Sequence, residues 1–388
     1  DRVCSERDAG RFGGSFRENG TRLCAVIGTK VAKAETKLPG VLTSSIKRTL
    51  RRVIFAAGIA LWLGSMLVQT RLDGAIALWT GALLLGGLFV LSAPTRTVTI
   101  GQLIQPLSLG GAMLGVALVI SAIFDRAVGP GIVPVRDITV PLAEELVKIL
   151  PILWILWRER GGRAHTFGVT DLLVLATASG VGFGLVEEAF IRHNEGWAKG
   201  LWWLPTSEMI RTPDGAKLIV GHGVWTGLAG LGLGFALLLR RPRAIMALVA
   251  VSGLLWSAID HTATNYGATH RDALANGLGF ITGAGWVTAY LFLLGVGAAI
   301  LLDLYVAITN HRRLAEARLP RPAISFAGLR ELWAFERLRR QFAYTVARYR
   351  RETGLARARS AVLAANLDAA LVNWQYWWRE RSSSAKAS

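Results

Sequence analysis

Four apolar segments of this chain carry carboxylate, ammonium or imidazole side chains. A charged group in hydrocarbon costs about 2.5–3.5 kcal/mol or more, so such residues mark places where function is expected. A carboxylate in a partly dry pocket binds protons more tightly, and a nearby Lys or His opposes that shift, which is the tuning that a general base needs near neutral pH. The candidates are, in chain order, Glu144, Glu145 and Lys148, then Glu187, then His222, and finally His261 and Asn265.

The spacing within each segment selects a helix face. Glu144 and Lys148 are four residues apart, and so are His261 and Asn265, so the members of each pair can meet on one side of a helix. Glu145 is expected to point about 100° away from Glu144, which predicts different roles for the two carboxylates. The Asn265 amide can donate a hydrogen bond to a developing oxyanion.

The depth of these residues predicts that they share one site. Helices of alternating direction would place unrelated polar residues at unrelated heights, but here the candidates lie near the start of two segments and near the end of the two that run the other way, which puts them all near one membrane face. At about 1.5 Å per residue, all four groups are expected within roughly 5–10 Å of one membrane face. Four helices are therefore predicted to build a single polar site.

The elements that must hold these side chains are membrane helices. The chain of 388 residues is 52% hydrophobic and 18% charged, with a mean hydropathy of +0.40, which excludes a disordered protein and argues against a soluble one. A helix needs about 20 mostly apolar residues to cross a bilayer. We predict an all-α polytopic membrane protein with a C-terminal amphipathic helical tail and about eight transmembrane helices, over 53–69, 75–93, 103–124, 138–157, 171–191, 217–239, 244–264 and 278–302.

The formal net charge of +18 is concentrated at the two ends of the chain. This distribution of charge predicts three parts of the chain: a basic, flexible N-terminal segment (1–52), a transmembrane bundle (53–302) and a basic amphipathic tail (303–388). Lys and Arg resist translocation, so both termini are expected in the cytoplasm of a multi-pass protein of the bacterial cytoplasmic membrane. The basic tails are expected to contact anionic lipid. A nucleic-acid partner is not expected, because no RNA- or DNA-binding signature accompanies the basic residues.

The motifs occur in the order EExxK, FxxxE, HxxxT and HxxxN, which resembles the PrsW family of intramembrane proteases, itself related to the CPBP membrane proteases. The resemblance covers about 138–265 and depends on four motifs in order on four predicted helices. The matching residues are Glu144, Glu145 and Lys148; Phe183 and Glu187; His222; and His261 with Asn265, with Arg211 as a further match upstream of His222.

The resemblance implies an intramembrane protease that hydrolyses peptide bonds of a membrane-spanning protein, with an anti-sigma factor as one substrate of this kind. By the same resemblance, Glu144 and Glu145 activate the water, and Glu187 and His222 assist or bind it. His261 with Asn265 then stabilises the tetrahedral oxyanion.

The participation of a metal stays open at this point. Glu187, His222 and His261 could hold Zn²⁺ and leave one position for water. The sequence has no HExxH motif, and a metal-free mechanism based on Glu and His explains the same residues. The sequence slightly favours the metal-free form.

Two other classes of protein compete with the protease. A proton- or cation-coupled transporter would use the same Glu, His and Lys cluster. It predicts paired halves with a site near the midplane, whereas the candidates here lie towards one face. A non-catalytic membrane scaffold would leave the intramembrane carboxylates without a role.

Overall fold

A computed structural model describes most of the predicted bundle and a few residues of the tail. The N-terminal segment 1–52, the predicted span 53–69 and most of the tail 303–388 lie outside the described residues. Everything that is described belongs to one compact unit, Leu61–Ser388. The described residues are 72–128, 133–159, 167–190, 208–212, 215–238 and 243–311, with 333, 336, 337, 340, 341, 343 and 344.

The described part of the chain is helical apart from one antiparallel hairpin, which pairs Glu208 with Ile219 at one end and Thr212 with Gly215 at the other. The helical class is therefore confirmed, and the hairpin was not predicted. The elements are α1 (Leu72–Leu91), α2 (Ile100–Val128), α3 (Val133–Glu159), α4 (Val169–Phe190), β1 (Glu208–Thr212), β2 (Gly215–Ile219), α5 (His222–Leu238), α6 (Arg243–Thr269), α7 (Ala273–Thr282) and α8 (Trp286–His311).

Several helices have the length and composition of membrane spans. Among the described residues, four helical stretches are long and apolar enough to cross a bilayer: Ile100–Ala127, Val169–Glu188, Ala244–Thr269 and Ala273–Thr309. Two shorter apolar helices, Leu78–Leu91 and His222–Leu238, accompany them. Helix α3 has 27 residues but falls outside this group, because Glu144, Glu145 and Lys148 lie in its middle. The chain is an integral membrane protein, and the described helices leave the predicted number of eight spans open.

Two predicted segments have different boundaries in the structure. The segment 217–239 starts in strand β2, and its helix begins only at His222. The segment 278–302 is interrupted by the 3-10 turn Gly283–Gly285, in which Ala284 also has a positive φ of 56°. Hydropathy does not register either feature, because both lie inside continuous apolar sequence. The left-handed backbone of the turn ends α7 and starts α8 in a new direction.

Helix α4 is the centre of the bundle. It packs against α2 and α5 and also contacts α1, α3 and α8, and nearly all of its residues are buried. Gly180 and Gly182 allow this close packing: a Cβ at Gly182 would lie 1.9 Å from the Leu107 carbonyl oxygen of α2, and one at Gly180 would lie 2.2 Å from the His222 carbonyl oxygen of α5. The first turn of α5 is therefore held directly against α4.

Two buried carboxylates stabilise the N-terminal end of α4. Asp303 of α8 accepts hydrogen bonds from the backbone N–H groups of Val169 (3.0 Å) and Thr170 (2.8 Å), and so serves as an N-cap supplied by another helix. Asp171 accepts from the backbone N–H groups of Thr97 (2.6 Å), which precedes α2, and Gly168 (2.8 Å). Because both carboxylates accept from backbone N–H groups, their burial is accounted for by a structural role.

The described residues of the tail contact the α1–α2 connection. The Tyr344 hydroxyl donates to the Thr95 carbonyl (2.7 Å), and the Arg340 guanidinium donates to the Ala93 carbonyl (2.7 Å). Tyr344 is fully buried. This part of the tail therefore packs on the protein, while contact of the tails with anionic lipid stays a prediction.

Candidate active site

Helices α3, α4, α5 and α6 bring the predicted residues into one buried cluster. Glu145, Lys148, His222 and His261 are each no more than 2% exposed. The Glu144 side chain is 13% exposed, which makes it the most accessible carboxylate of the cluster. Four helices therefore bring these residues together, as the depth of the residues in their segments predicted.

The Lys148 ammonium lies at the centre of the cluster. Its Nζ is 2.8 Å from Glu145 Oε1, 3.3 Å from Glu144 Oε2 and 2.7 Å from His222 Nδ1. It also lies 4.3 Å from the centre of the Phe183 ring, a cation–π distance. Three N–H donors and three acceptors match one another, so the buried charge is fully hydrogen-bonded.

His261 is oriented by Glu145. Its Nδ1 is 2.9 Å from Glu145 Oε1, and since a carboxylate only accepts, Nδ1 carries the proton. Nε2 is then the nitrogen with a lone pair, and it lies 3.4 Å from Asn265 Nδ2 and 3.8 Å from Glu144 Oε2. Asn265 therefore donates a long hydrogen bond to His261, in the (i, i+4) arrangement that the sequence predicted.

His222 is oriented in the same manner by Glu187. As the first residue of α5, it directs Nε2 at Glu187 Oε2 and Nδ1 at Lys148. The proton therefore belongs on Nε2, and the lone pair on Nδ1. The Phe183 ring packs 5.3 Å from the imidazole, centre to centre, which gives the predicted aromatic residue a packing role beside it.

Trp225 is a residue of the site that the sequence argument did not identify. Its indole stacks on the His261 ring at 4.2 Å and meets the His222 ring edge-on at 5.2 Å. Its Nε1 donates to Asp260 Oδ2 at 2.7 Å. Asp260 thus orients Trp225. The sequence did contain a signal for Trp225: it lies three residues after His222, and this spacing places both residues on the same helix face.

Arg211, predicted as a supporting residue, lies on β1 opposite Ala216. Strand β2 ends three residues before His222, so the hairpin leads directly into the site. The part of Arg211 in function stays a prediction.

The residues at the centre fit a metal ion. One ligand atom each from Glu144, His222 and His261 lies within 4.8 Å of the others. From the sequence, Glu187 was predicted to belong to this set. In the structure Glu144 belongs to it instead, and Glu187 contacts Nε2 of His222, the ring nitrogen that points away from the centre. Each imidazole therefore has a carboxylate on one nitrogen and faces the centre with the other, which is the support that metal-binding histidines usually have. Two imidazoles and a carboxylate are a catalytic zinc set, with a fourth position for water.

Comparison with known families shows the family of the chain. A family model described as PrsW family intramembrane metalloprotease matches residues 76–296, a range that contains every predicted site residue. Comparison with curated proteins and with solved structures gave no significant match. The family match does not support the alternative of a transporter.

Proposed function

Because the chain belongs to the PrsW family of intramembrane metalloproteases, we propose that it cleaves membrane-spanning proteins at the cluster of Glu144, Glu145, His222 and His261. The observation that carries this proposal is the meeting of two imidazoles, the buried Glu145 and the partly accessible Glu144, from three different helices, in one cluster. Single-span membrane proteins, anti-sigma factors among them, are the proposed substrates.

Glu144, His222 and His261 would hold the metal. When bound, a metal ion polarises the scissile carbonyl and lowers the pKa of a water molecule. The donor set supports this assignment, because the opposite ring nitrogens contact Glu187 and Glu145, so that His222 Nδ1 and His261 Nε2 direct their lone pairs to the centre, where Lys148 and Asn265 donate to them in this structure. Glu144 supplies the most accessible of the carboxylates.

Glu145 is the proposed general base. Its Oε1 already accepts from Lys148 and His261, whereas its Oε2 is buried and accepts no hydrogen bond from the described residues. A buried acceptor of this kind calls for an additional donor, and the attacking water supplies it. Glu145 then takes a proton from the water and returns it to the leaving amine.

Asn265 is the proposed oxyanion donor. Its amide reaches His261 only over a long hydrogen bond of 3.4 Å, so little is lost when the N–H turns to a developing negative charge. Lys148 supports the same site as a fixed positive charge beside both glutamates. Its effect is to keep Glu145 ionised while no substrate is bound.

The membrane arrangement is proposed to follow the charge pattern. Both termini would lie in the cytoplasm of a bacterial cell, and the basic tails would contact anionic lipid. Cysteine-accessibility labelling of single-cysteine variants at each terminus in intact cells tests this orientation. Labelling of a terminus by an impermeant reagent would contradict it.

The test of the function uses the purified full chain in detergent with a panel of single-span membrane peptides, read by mass spectrometry. Glu145→Gln and Glu144→Gln should each abolish cleavage, and a chelator should abolish it in the wild type. Glu188→Gln, the same change next to Glu187, is the matched control and should keep cleavage. Retained cleavage in both Glu144→Gln and Glu145→Gln would refute the protease site, and cleavage that resists the chelator would refute the metal and leave a metal-free glutamic mechanism.

A further inference from the structure

The Lys148 ammonium contacts two of the three side chains that are assigned to the metal, His222 and Glu144. We propose that Lys148 is a resident cation of the site, which competes with the metal for His222 and must release it before a metal binds. This inference rests on the proposed metal set of Glu144, His222 and His261. The inference adds Lys148 to the residues that set the metal affinity of the protein.

The competition follows from the single lone pair of an imidazole. An ammonium only donates, so His222 Nδ1 accepts from Lys148 and the ring proton lies on Nε2, which faces the Glu187 carboxylate. The remaining lone pair, on Nδ1, accepts a hydrogen bond from Lys148 Nζ at 2.7 Å. One lone pair serves either an N–H donor or a metal ion, so the two states exclude each other at this atom.

Glu144 is shared in the same manner. Its Oε2 is 3.3 Å from Lys148 Nζ and 3.8 Å from His261 Nε2, so it faces the ammonium and the second imidazole together. Glu145 differs, because it lies outside the ligand set and makes the 2.8 Å bond to Lys148 Nζ through Oε1. Lys148 can therefore release His222 and Glu144 while its bond to Glu145 keeps it in the site.

The negative charge of the carboxylates is neutralised both in the form with a metal and in the form without one. In the form described here, the ammonium pairs with buried carboxylates that would otherwise be unneutralised, which holds the cluster together. With a metal bound, the metal would replace the ammonium at His222 and Glu144, and the ammonium would stay paired with Glu145. The consequence is a metal affinity below that of the same ligands without the lysine.

The experiment measures metal affinity directly. Purified full-length protein in detergent is stripped with chelator and titrated with Co²⁺, followed by its absorption spectrum, and with Zn²⁺, followed by calorimetry. The variants are Lys148→Met and Lys148→Gln, and either one that elutes as folded, helical protein is decisive. Ser179→Ala is the matched control, because the Ser179 hydroxyl donates to the Lys148 backbone carbonyl at 2.7 Å and its removal leaves the ammonium in place.

The charge-removing variants should bind Zn²⁺ and Co²⁺ about 10- to 100-fold more tightly than the wild type, the range set by one charge-assisted hydrogen bond. The Ser179→Ala control should bind as the wild type does. Ca²⁺ takes oxygen ligands, so its affinity should rise less. Adding His222→Ala to Lys148→Met should abolish the gain, which locates the metal at this imidazole.

Three outcomes would overturn the inference, and they differ in whether they also refute the proposed metal set. Equal or weaker Zn²⁺ binding by the charge-removing variants would refute the competition and leave the metalloprotease proposal standing. An equal rise for Ca²⁺ and Zn²⁺ would also refute it, because it would show a general charge effect. Absence of Zn²⁺ and Co²⁺ binding in every form would refute both the competition and the proposed metal set.

Discussion

Replacing Gly180 by alanine tests whether the close approach of α4 and α5 positions His222. The new Cβ would lie 2.2 Å from the His222 carbonyl oxygen and 2.6 Å from the Thr226 hydroxyl. An ordinary contact begins near 3.4 Å, so the first turn of α5 must move by about 1 Å or more. The obstacle is backbone, which cannot rotate away as a flexible side chain would.

The magnitude follows from two opposing effects. Overpacking of a tight helix contact costs about 1–3 kcal/mol, and the helix propensity of alanine over glycine returns about 1 kcal/mol. The variant should therefore fold with a modest loss of stability, of about 0–2 kcal/mol. Activity should suffer more, because a displacement of 1 Å at a reacting group costs about 100-fold in rate.

The assay is cleavage of a membrane-spanning peptide in detergent, together with thermal unfolding of the same samples. Gly115→Ala in α2 is the matched control, since a Cβ there would meet nothing within 4 Å. It should keep its activity and gain up to about 1 kcal/mol of stability from helix propensity. A Gly180→Ala protein that cleaves at the wild-type rate would refute the claim that this contact holds His222 in place.

Three further changes test other parts of the structure. Asn265→Ala should lower kcat by about 100- to 1000-fold with little change in KM if the amide stabilises the oxyanion, and an effect on KM alone would contradict that role. Trp225→Phe keeps a stacking ring but removes the N–H donated to Asp260, so kcat should fall about tenfold, and wild-type kinetics would show that this bond does not position His261. Asp303→Ala should lower the stability measured by thermal unfolding by about 1–3 kcal/mol, because the backbone donors of α4 lose their buried acceptor, while cleavage by folded protein at low temperature stays unchanged. Loss of cleavage in the folded Asp303→Ala protein would contradict a purely structural role.

Contacts within one helix were the most predictable part of the site. The spacing of four residues placed Glu144 beside Lys148 and His261 beside Asn265, and both contacts are present in the structure. Glu145 was expected to point away from Glu144, yet both carboxylates contact Lys148. The reason is that Glu145 and Lys148 are three residues apart, which also places them on one face, and a long lysine side chain can reach both.

Contacts between helices were predicted less well. Glu187 was the carboxylate predicted to join His222 and His261 if a metal is bound, whereas the group that could hold a metal in the structure contains Glu144. Trp225 and Asp260 form a buried pair across α5 and α6 that no motif indicated. The rotation of one helix against the next decides such pairs, and rotation leaves no mark on the hydrophobic pattern of a helix that is buried on all sides.

The amino-acid sequence by itself determined the helical membrane class, the family and the set of polar residues that meet in the bundle. These follow from local rules, because apolar length, helical period and motif order can each be read along the chain. Only the tertiary structure decided that Lys148 contacts the imidazole lone pair of His222, that Glu144 lies with His222 and His261 in a group that could hold a metal, and that a hairpin leads into α5. Those features depend on the distance and rotation between helices, which glycines such as Gly180 set through close backbone contacts.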